Sequence, residues 1–158
     1  MIHSGLSMEF DAVDRRILEI LLVDGRASHA SVAKTVGLSA PAIGERVKKL
    51  EQAGVIRGYH ADIDPVAVGL TITAYVAIAP QPRKPAQRLV ERLLEYPEIE
   101  ELHAVAGTYS FIAKVRLAST VALDAFLDRL FTTEGVERTE TTMVLRTNLE
   151  RQTRLPFA

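Results

Sequence analysis

Two periodicities divide the chain. Between Asp11 and Gly54 the apolar positions recur with helical spacing. Val13, Ile17, Ile20 and Leu21 fall at i, i+4, i+7 and i+8, which predicts a helix with one apolar stripe. Leu18 and Leu22 widen that stripe, so the helix is expected to pack on two sides. Asp11 or Asp14 suits its N-cap, and Gly25, within Asp24-Gly25-Arg26, is expected to end it. Ser28 opens a short second helix that stops at Gly37 and turns Val32, Ala33 and Val36 inward. Ser39 caps a third helix, with Pro41 in its first turn and Gly54 after its end. Ile43, Val47 and Leu50, at i, i+4 and i+7, face the core of the resulting trihelical unit. The segment Val55–Pro65 is too short for a further helix and is expected to form a strand-like wing and linker.

From Thr71 the pattern changes. Ile72, Ala74, Val76 and Ile78 alternate as a half-buried strand does. Pro80, Pro82 and Pro85 then interrupt the strand and lead into a helix carrying Leu89, Val90, Leu93 and Leu94. Ile99–Ala106 reads as a second strand, Gly107 as a turn, and Phe111, Ala113, Val115 and Leu117 as a third strand. Ser119 or Thr120 caps a helix with Leu123, Phe126, Leu127 and Leu130, and a last strand runs from about Val136 to Arg146. The order β-α-β-β-α-β is the ferredoxin-like arrangement. The expected architecture is therefore α+β: an N-terminal trihelical, winged helix-turn-helix over 9–58, a linker strand over 59–70, and a C-terminal ferredoxin-like βαββαβ domain over 71–158. Two helices cover one face of the sheet. The other face must carry polar residues or find a partner, which points to a homodimer.

Composition narrows the function. The chain has 158 residues, 47% hydrophobic and 25% charged, which is ordinary for a globular protein and excludes a disordered one. It has no cysteine, so disulfides and thiolate metal sites are excluded and a reducing cytoplasm is the expected location. The opening Met1–Ser7 lacks the basic and apolar regions of a secretory signal, and no apolar run reaches the roughly 18–20 residues of a membrane span. There is no GxSxG, P-loop or GxGxxG. His3, His29, His60 and His103 are scattered without metal-ligand spacing, and Glu98, Glu100 and Glu101 read as a solvated cluster. The expectation is a protein that is not an enzyme, with no metal or cofactor.

The formal net charge of −1 excludes a polycation that coats nucleic acid, but its distribution is uneven. Residues 34–58 carry Lys34, Arg46, Lys48, Lys49 and Arg57 against only Glu45 and Glu51. That basic patch coincides with helix-turn-helix spacing over Ser28–Gln52. Gly37 permits the sharp turn, Leu38 is expected to plug the angle between the helices, and Ser39 satisfies the free amides of the third. With Ile43, Val47 and Leu50 inward, Ala42, Glu45, Arg46 and Lys49 are placed on the side that a recognition helix lays in the major groove. Ser39, Ala40 and Ala42 are small enough for close approach. Arg46 is the candidate to read a guanine edge or grip a phosphate, and Lys48 and Lys49 are phosphate contacts. Gly44, inside this helix, costs about 1 kcal/mol relative to alanine.

The segment DAVDRRILEILLVDGRASHASVAKTVGLSAPAIGERVKKLEQAGVIRGY resembles the N-terminal domain of the Lrp/AsnC family of feast/famine regulators. Asp14-Arg15-Arg16-Ile17-Leu18, Asp24-Gly25-Arg26, Val36-Gly37-Leu38-Ser39, Glu45-Arg46-Val47 and Gly54-Val55-Ile56 fall at that family's spacing. Further on, EIEELHAVAGTYSFIAKV resembles the family's effector-domain signature, and Gly135-Val136 with Thr139 and Thr141 resembles its last strand. The resemblance covers residues 9–155. It implies a homodimer joined through the second domains, further assembly to an octamer, and an amino-acid effector bound between dimers. The effector residues it implies are Val105, Gly107, Thr108, Tyr109, Ser110, Thr139 and Thr141. Relatives that bind free amino acids carry Gly-Asp-x-Asp in the turn, whereas this chain has Gly107-Thr108-Tyr109-Ser110. A hydroxyl is a neutral, weaker partner than a carboxylate for an ammonium group.

The sequence thus reads as a regulator of transcription that binds double-stranded DNA at a pseudo-palindromic operator and responds to an amino acid or related metabolite. An effector-independent architectural DNA protein is the alternative that Thr108 and Ser110 favour. A tetrapyrrole-decarboxylase-like enzyme, as found among proteins resembling this family, is more remote, because only His103 lies in the effector motif.

Overall fold

A computed structural model describes residues 9–151 and 155–157. The opening segment read above for signal character lies outside the described residues. The elements are α1 (Ala12–Val23), α2 (His29–Val36), α3 (Ala40–Gln52), β1 (Ile72–Pro80), α4 (Ala86–Leu93), β2 (Ile99–Ala104), β3 (Phe111–Leu117), α5 (Thr120–Thr132) and β4 (Val136–Met143). They form two units, one from the helices through Asp62 together with the C-terminal residues from Arg151, the other over Ile63–Glu150.

In the helical unit every helix begins where a side chain can satisfy free amides. The Asp14 amide donates to Asp11 Oδ1 at 2.7 Å, and the Asp11 amide donates back to Asp14 Oδ2 at 3.4 Å, a reciprocal cap built from two carboxylates. Ser28 caps α2 by accepting from Ser31, and Ser39 caps α3 by accepting from Ala42. Gly37 ends α2 in the left-handed region at φ 80°, where a side chain would be strained. The three helices close over Ile17, Val32, Ile43 and Leu50, each fully or almost fully buried. Burying each such side chain contributes about 1.5–3 kcal/mol.

Three expectations are corrected. Leu38 does not plug the interhelical angle: it is 39% exposed, and Val36 packs against the core instead. Gly37 has already reversed the chain, so the side chain after it emerges outward. No wing forms, since among the described residues no strand lies between α3 and β1, and 65–69 is a run of turns. Val55 and Ile56 pack against the helical core rather than pairing as a ribbon. The C-terminus does not stay with the sheet: Leu155 and Phe157 pack against the helical unit, with the Phe157 ring 5.9 Å from Phe10 and 5.3 Å from the Arg15 guanidinium. Isolated apolar residues in a polar tail carry no periodicity that would assign them.

In the second unit the four strands are antiparallel in the order β2-β3-β1-β4. The register sets Ala74 opposite Val115, Val76 opposite Ala113 and Ile78 opposite Phe111, all buried. This row lies in one core with Leu89 and Leu93 of α4 and Phe126 and Leu130 of α5. The opposite face is polar: Glu101, Lys114, Tyr75 and Thr142 form one cross-strand row, and His103, Ile112, Ala77 and Glu140 the next. Lys114 is 93% buried there, with Nζ 3.2 Å from Glu101 and 2.5 Å from Glu150. Burial pushes its pKa down, but hydrogen bonds to Glu150 and Glu101 more than offset that and hold it above the usual lysine range. Among the described residues, no helix is long and apolar enough to cross a membrane.

Candidate nucleic-acid interface and effector turn

The outward face of α3 is written by its buried one. With Ile43, Val47 and Leu50 inward, Glu45, Lys48 and Lys49 are exposed and Ala42 is half-buried, whereas Ala40, expected on the outer face, packs against the helical core because it lies close to Val47 round the helix. Ser39, at the start, turns its hydroxyl to the Ala42 amide, so its cap role is fixed locally. Among the described residues Lys34, Lys48, Lys49 and Arg57 form no ion pair, which leaves their charge available to a polyanion.

Arg46 is placed differently from its expected position. It lies about 60° round the helix from Ile43, on the flank rather than the outer face. There its Nη1 donates to Asp11 Oδ2 at 2.6 Å and to Asp14 Oδ1 at 2.7 Å. One guanidinium thereby joins α3 to the capped N-terminus of α1. The Asp14 amide, then the Arg46 guanidinium, hold the Asp11 carboxyl below the usual aspartate range. Asp11 and then Asp14 hold the Arg46 guanidinium above its usual value. In the sequence Asp11 and Asp14 read only as caps; a pairing separated by 35 and 32 residues leaves no local signal.

Gly44 also has a tertiary role. A Cβ built on it would stand 3.3 Å from His29 Nδ1, so glycine lets the start of α2 approach α3 closely.

The residues expected at the effector turn fall into two groups. Val105 to Ser110 form the loop between β2 and β3, closed by the Val105 amide donating to the Ser110 carbonyl at 2.9 Å. Gly107 and Thr108 are exposed at its tip. Thr139 and Thr141 stand opposite Ile78 and Val76, on the helix-covered side of the sheet. The Tyr109 side chain reaches the other side. Its hydroxyl donates to Glu140 Oε2 at 2.7 Å, and the Arg138 guanidinium lies 5.0 Å from its ring centre. The Glu140 hydrogen bond, then burial, raises the Tyr109 pKa above the usual phenol value. No signal in the sequence singles out Arg138 and Glu140. Alternation from buried Val136 puts them on the core side, but the register shifts between Ala79 and Pro80 and turns them outward.

Among the described residues no group of three or more His, Cys, Asp or Glu is arranged to hold a metal ion. Among the described residues, several cavities lie away from the turn, including one of about 420 Å³ beside Tyr96 and Arg129. One of about 570 Å³ is in the helical unit, beside Leu18, Tyr59 and Leu155. One of about 390 Å³ is on the polar sheet face, beside Lys114, Arg116 and Arg146.

A capped three-helix unit with a basic, unpaired outer helix face is a helix-turn-helix DNA-binding domain. Here it is joined to a four-stranded α+β unit. Residues 10–51 match the AsnC-type helix-turn-helix domain, and residues 73–153 match the Lrp/AsnC ligand binding domain. The chain is 37% identical over 152 residues to the HTH-type transcriptional regulator FL11 of Pyrococcus abyssi, covering 96% of this chain and 99% of that one. A feast or famine regulatory protein from M. tuberculosis, solved in complex with L-methionine, superimposes with a TM-score of 0.87 at 40% identity, covering 94% of this chain and 100% of that one. A transcriptional regulator from Neisseria meningitidis, solved in complex with L-Met, superimposes with a TM-score of 0.87 at 26% identity, covering 94% and 97%. The chain belongs to the Lrp/AsnC family, which is a family of transcriptional regulators and not of enzymes.

Proposed function

We propose that the protein is a cytoplasmic, homodimeric regulator that reads a pseudo-palindromic operator with α3 and changes its hold on DNA when an amino acid binds the sheet unit. The observation that carries this reading is the outer face of α3. It combines a small first-turn residue, Ala42, with Lys48 and Lys49, exposed and without ion-pair partners among the described residues. Such a face brings the helix backbone close to base edges while two ammonium groups neutralise flanking phosphates. Arg46 takes a positioning role: tied to Asp11 and Asp14, it fixes how α3 is presented. Two copies would present two such helices, and the polar sheet face bearing Tyr75, Lys114 and Thr142 supplies surface for pairing and for further assembly towards an octamer. L-methionine in two related structures supports an amino-acid effector, acting by preferring one arrangement of the assembly over another.

The test is selectivity. Purified protein is titrated onto the DNA upstream of its own coding sequence and onto a shuffled duplex, at two salt concentrations, with and without L-methionine. Preference for the upstream DNA, altered by the amino acid, is the expected result. Equal affinity for both duplexes, indifferent to the amino acid, would replace this reading with an architectural DNA protein.

A further inference from the structure

The first helix carries more apolar surface than its core consumes. Ile17 and Leu18 are buried, but Leu22, on the flank that widens the stripe, is 39% exposed. That flank forms one wall of the cavity of about 570 Å³ in the helical unit. Val55 and Ile56, from the chain leaving α3, and Leu155, from the C-terminal segment, supply further walls. All of these residues belong to the helical unit. The volume falls within the range of small-molecule sites, about 300–1,000 Å³, which are mostly apolar with a few placed polar groups.

The polar residues of this cavity come from one short run, Arg57-Gly58-Tyr59-His60. Gly58 has φ 154°, where glycine is favoured, and a Cβ on it would stand 3.0 Å from His60 Nε2. Glycine therefore lets the His60 ring fold back onto the chain. The Tyr59 hydroxyl donates to Glu51 Oε1 at 3.0 Å, and a Cβ on Gly25 would stand 3.5 Å from the Tyr59 ring. That ring is thus anchored at the end of α3 and beside the turn after α1. Glu51 is not a wall, and among the described residues no carboxylate lines the cavity. Arg57 is exposed and forms no ion pair among the described residues. Aliphatic walls beside an unpaired guanidinium suit a molecule with an apolar body and an anionic head. A neutral apolar molecule would leave Arg57 unused, and a cation would meet a like charge.

We infer that this cavity binds an amphipathic monocarboxylate. Its aliphatic chain lies against Leu18, Leu22, Val55 and Leu155, and its carboxylate accepts a charge-assisted hydrogen bond from Arg57. The His60 ring supplies a second donor at the same end. The site lies in the unit that carries α3, and its ligand has no ammonium group. It therefore stands or falls independently of an amino acid on the sheet unit. Occupancy stabilises the folded helical unit by mass action.

The experiment is calorimetric titration of the full chain with octanoate, hexanoate, 1-octanol and octylamine, each below its micelle concentration. Octanoate is expected to bind at least about tenfold more tightly than octylamine and to raise the melting midpoint. Hexanoate should bind about 15-fold more weakly than octanoate, since it buries two methylenes fewer. Arg57→Gln should bring octanoate down to the affinity of 1-octanol and leave 1-octanol unchanged. Leu22→Glu should weaken octanoate and 1-octanol alike. Leu22 is already partly exposed, so this variant should keep its helical circular dichroism. Octylamine binding as tightly as octanoate, or octanoate binding that Arg57→Gln leaves intact, would overturn the inference. Failure of every octyl probe to bind would overturn it as well. If Leu22→Glu then also turned dimers into monomers in sedimentation, the cavity would belong to a second copy of the chain.

Discussion

Removing the Arg46 guanidinium separates a positioning role from a reading role. The side chain is 32% exposed and its Asp14 partner 15% exposed, so their hydrogen bond at 2.7 Å is only partly screened by water. Deleting one partner of such a pair leaves a half-buried carboxylate without its cation, a loss of about 1–2 kcal/mol, above the median for exposed surface pairs. In a unit of this size that lowers the unfolding midpoint by roughly 4–16 °C. Arg46→Ala is followed by circular dichroism melts and by DNA titrations over a salt series. The expected outcome is a lower midpoint and weaker binding, with the slope of log K against log salt unchanged. The acid limb should change as well. Because the Asp11 pKa is lowered in the folded state, its contribution is present above the ordinary aspartate value and disappears as pH falls through the folded one. Arg46→Ala should blunt that acid-induced loss. An unchanged midpoint with a slope reduced by about 0.9 would refute the reasoning and make Arg46 a phosphate contact.

Other outcomes follow from the same geometry. Lys48→Gln and Lys49→Gln should each lower the salt slope by about 0.9, weaken specific and shuffled duplexes alike, and leave the melting midpoint in place, as read by fluorescence anisotropy and calorimetry. Gly44→Ala should stabilise the helical unit by up to about 1 kcal/mol, because the gain in helix propensity outweighs a small swing of the exposed His29 ring. A lower melting midpoint for that variant would mean that His29 is held rigidly. Gly37→Ala should destabilise by about 1–2 kcal/mol through backbone strain alone, since at φ 80° no neighbouring atom lies within 4 Å of the added Cβ. Denaturant unfolding measures it.

Much of this molecule is legible in the chain because its signals are local. Ser28, Gly37 and Ser39 determine where α2 and α3 begin and end within a few residues of themselves. The alternation Ala74, Val76, Ile78 against Phe111, Ala113, Val115 fixes both strands and the face they bury. What escaped depends on distant partners or on a broken period. Arg46 lies close enough to the core flank for either environment, and only its meeting with α1 decides between them. The register shift after Ala79 inverts the face on which Arg138 and Glu140 appear, and no residue type in β4 announces it. Thr139 and Thr141 come from the family pattern, yet this sheet turns them away from the Tyr109 ring. Leu155 and Phe157 return to the helical unit through contacts that periodicity cannot encode.

Reading of base sequence by two α3 helices is tested most directly by selecting ligands for the full chain from a pool of random duplexes. The account predicts enrichment of two inverted half-sites whose centres are about one helical turn, or a multiple of it, apart. Changing Glu45 and Ala42, two α3 side chains near its N-terminal half without positive charge, should shift the half-site sequence while the spacing stays. A pool that emerges with no enriched motif, from a protein that still binds the duplexes in low salt, would contradict it.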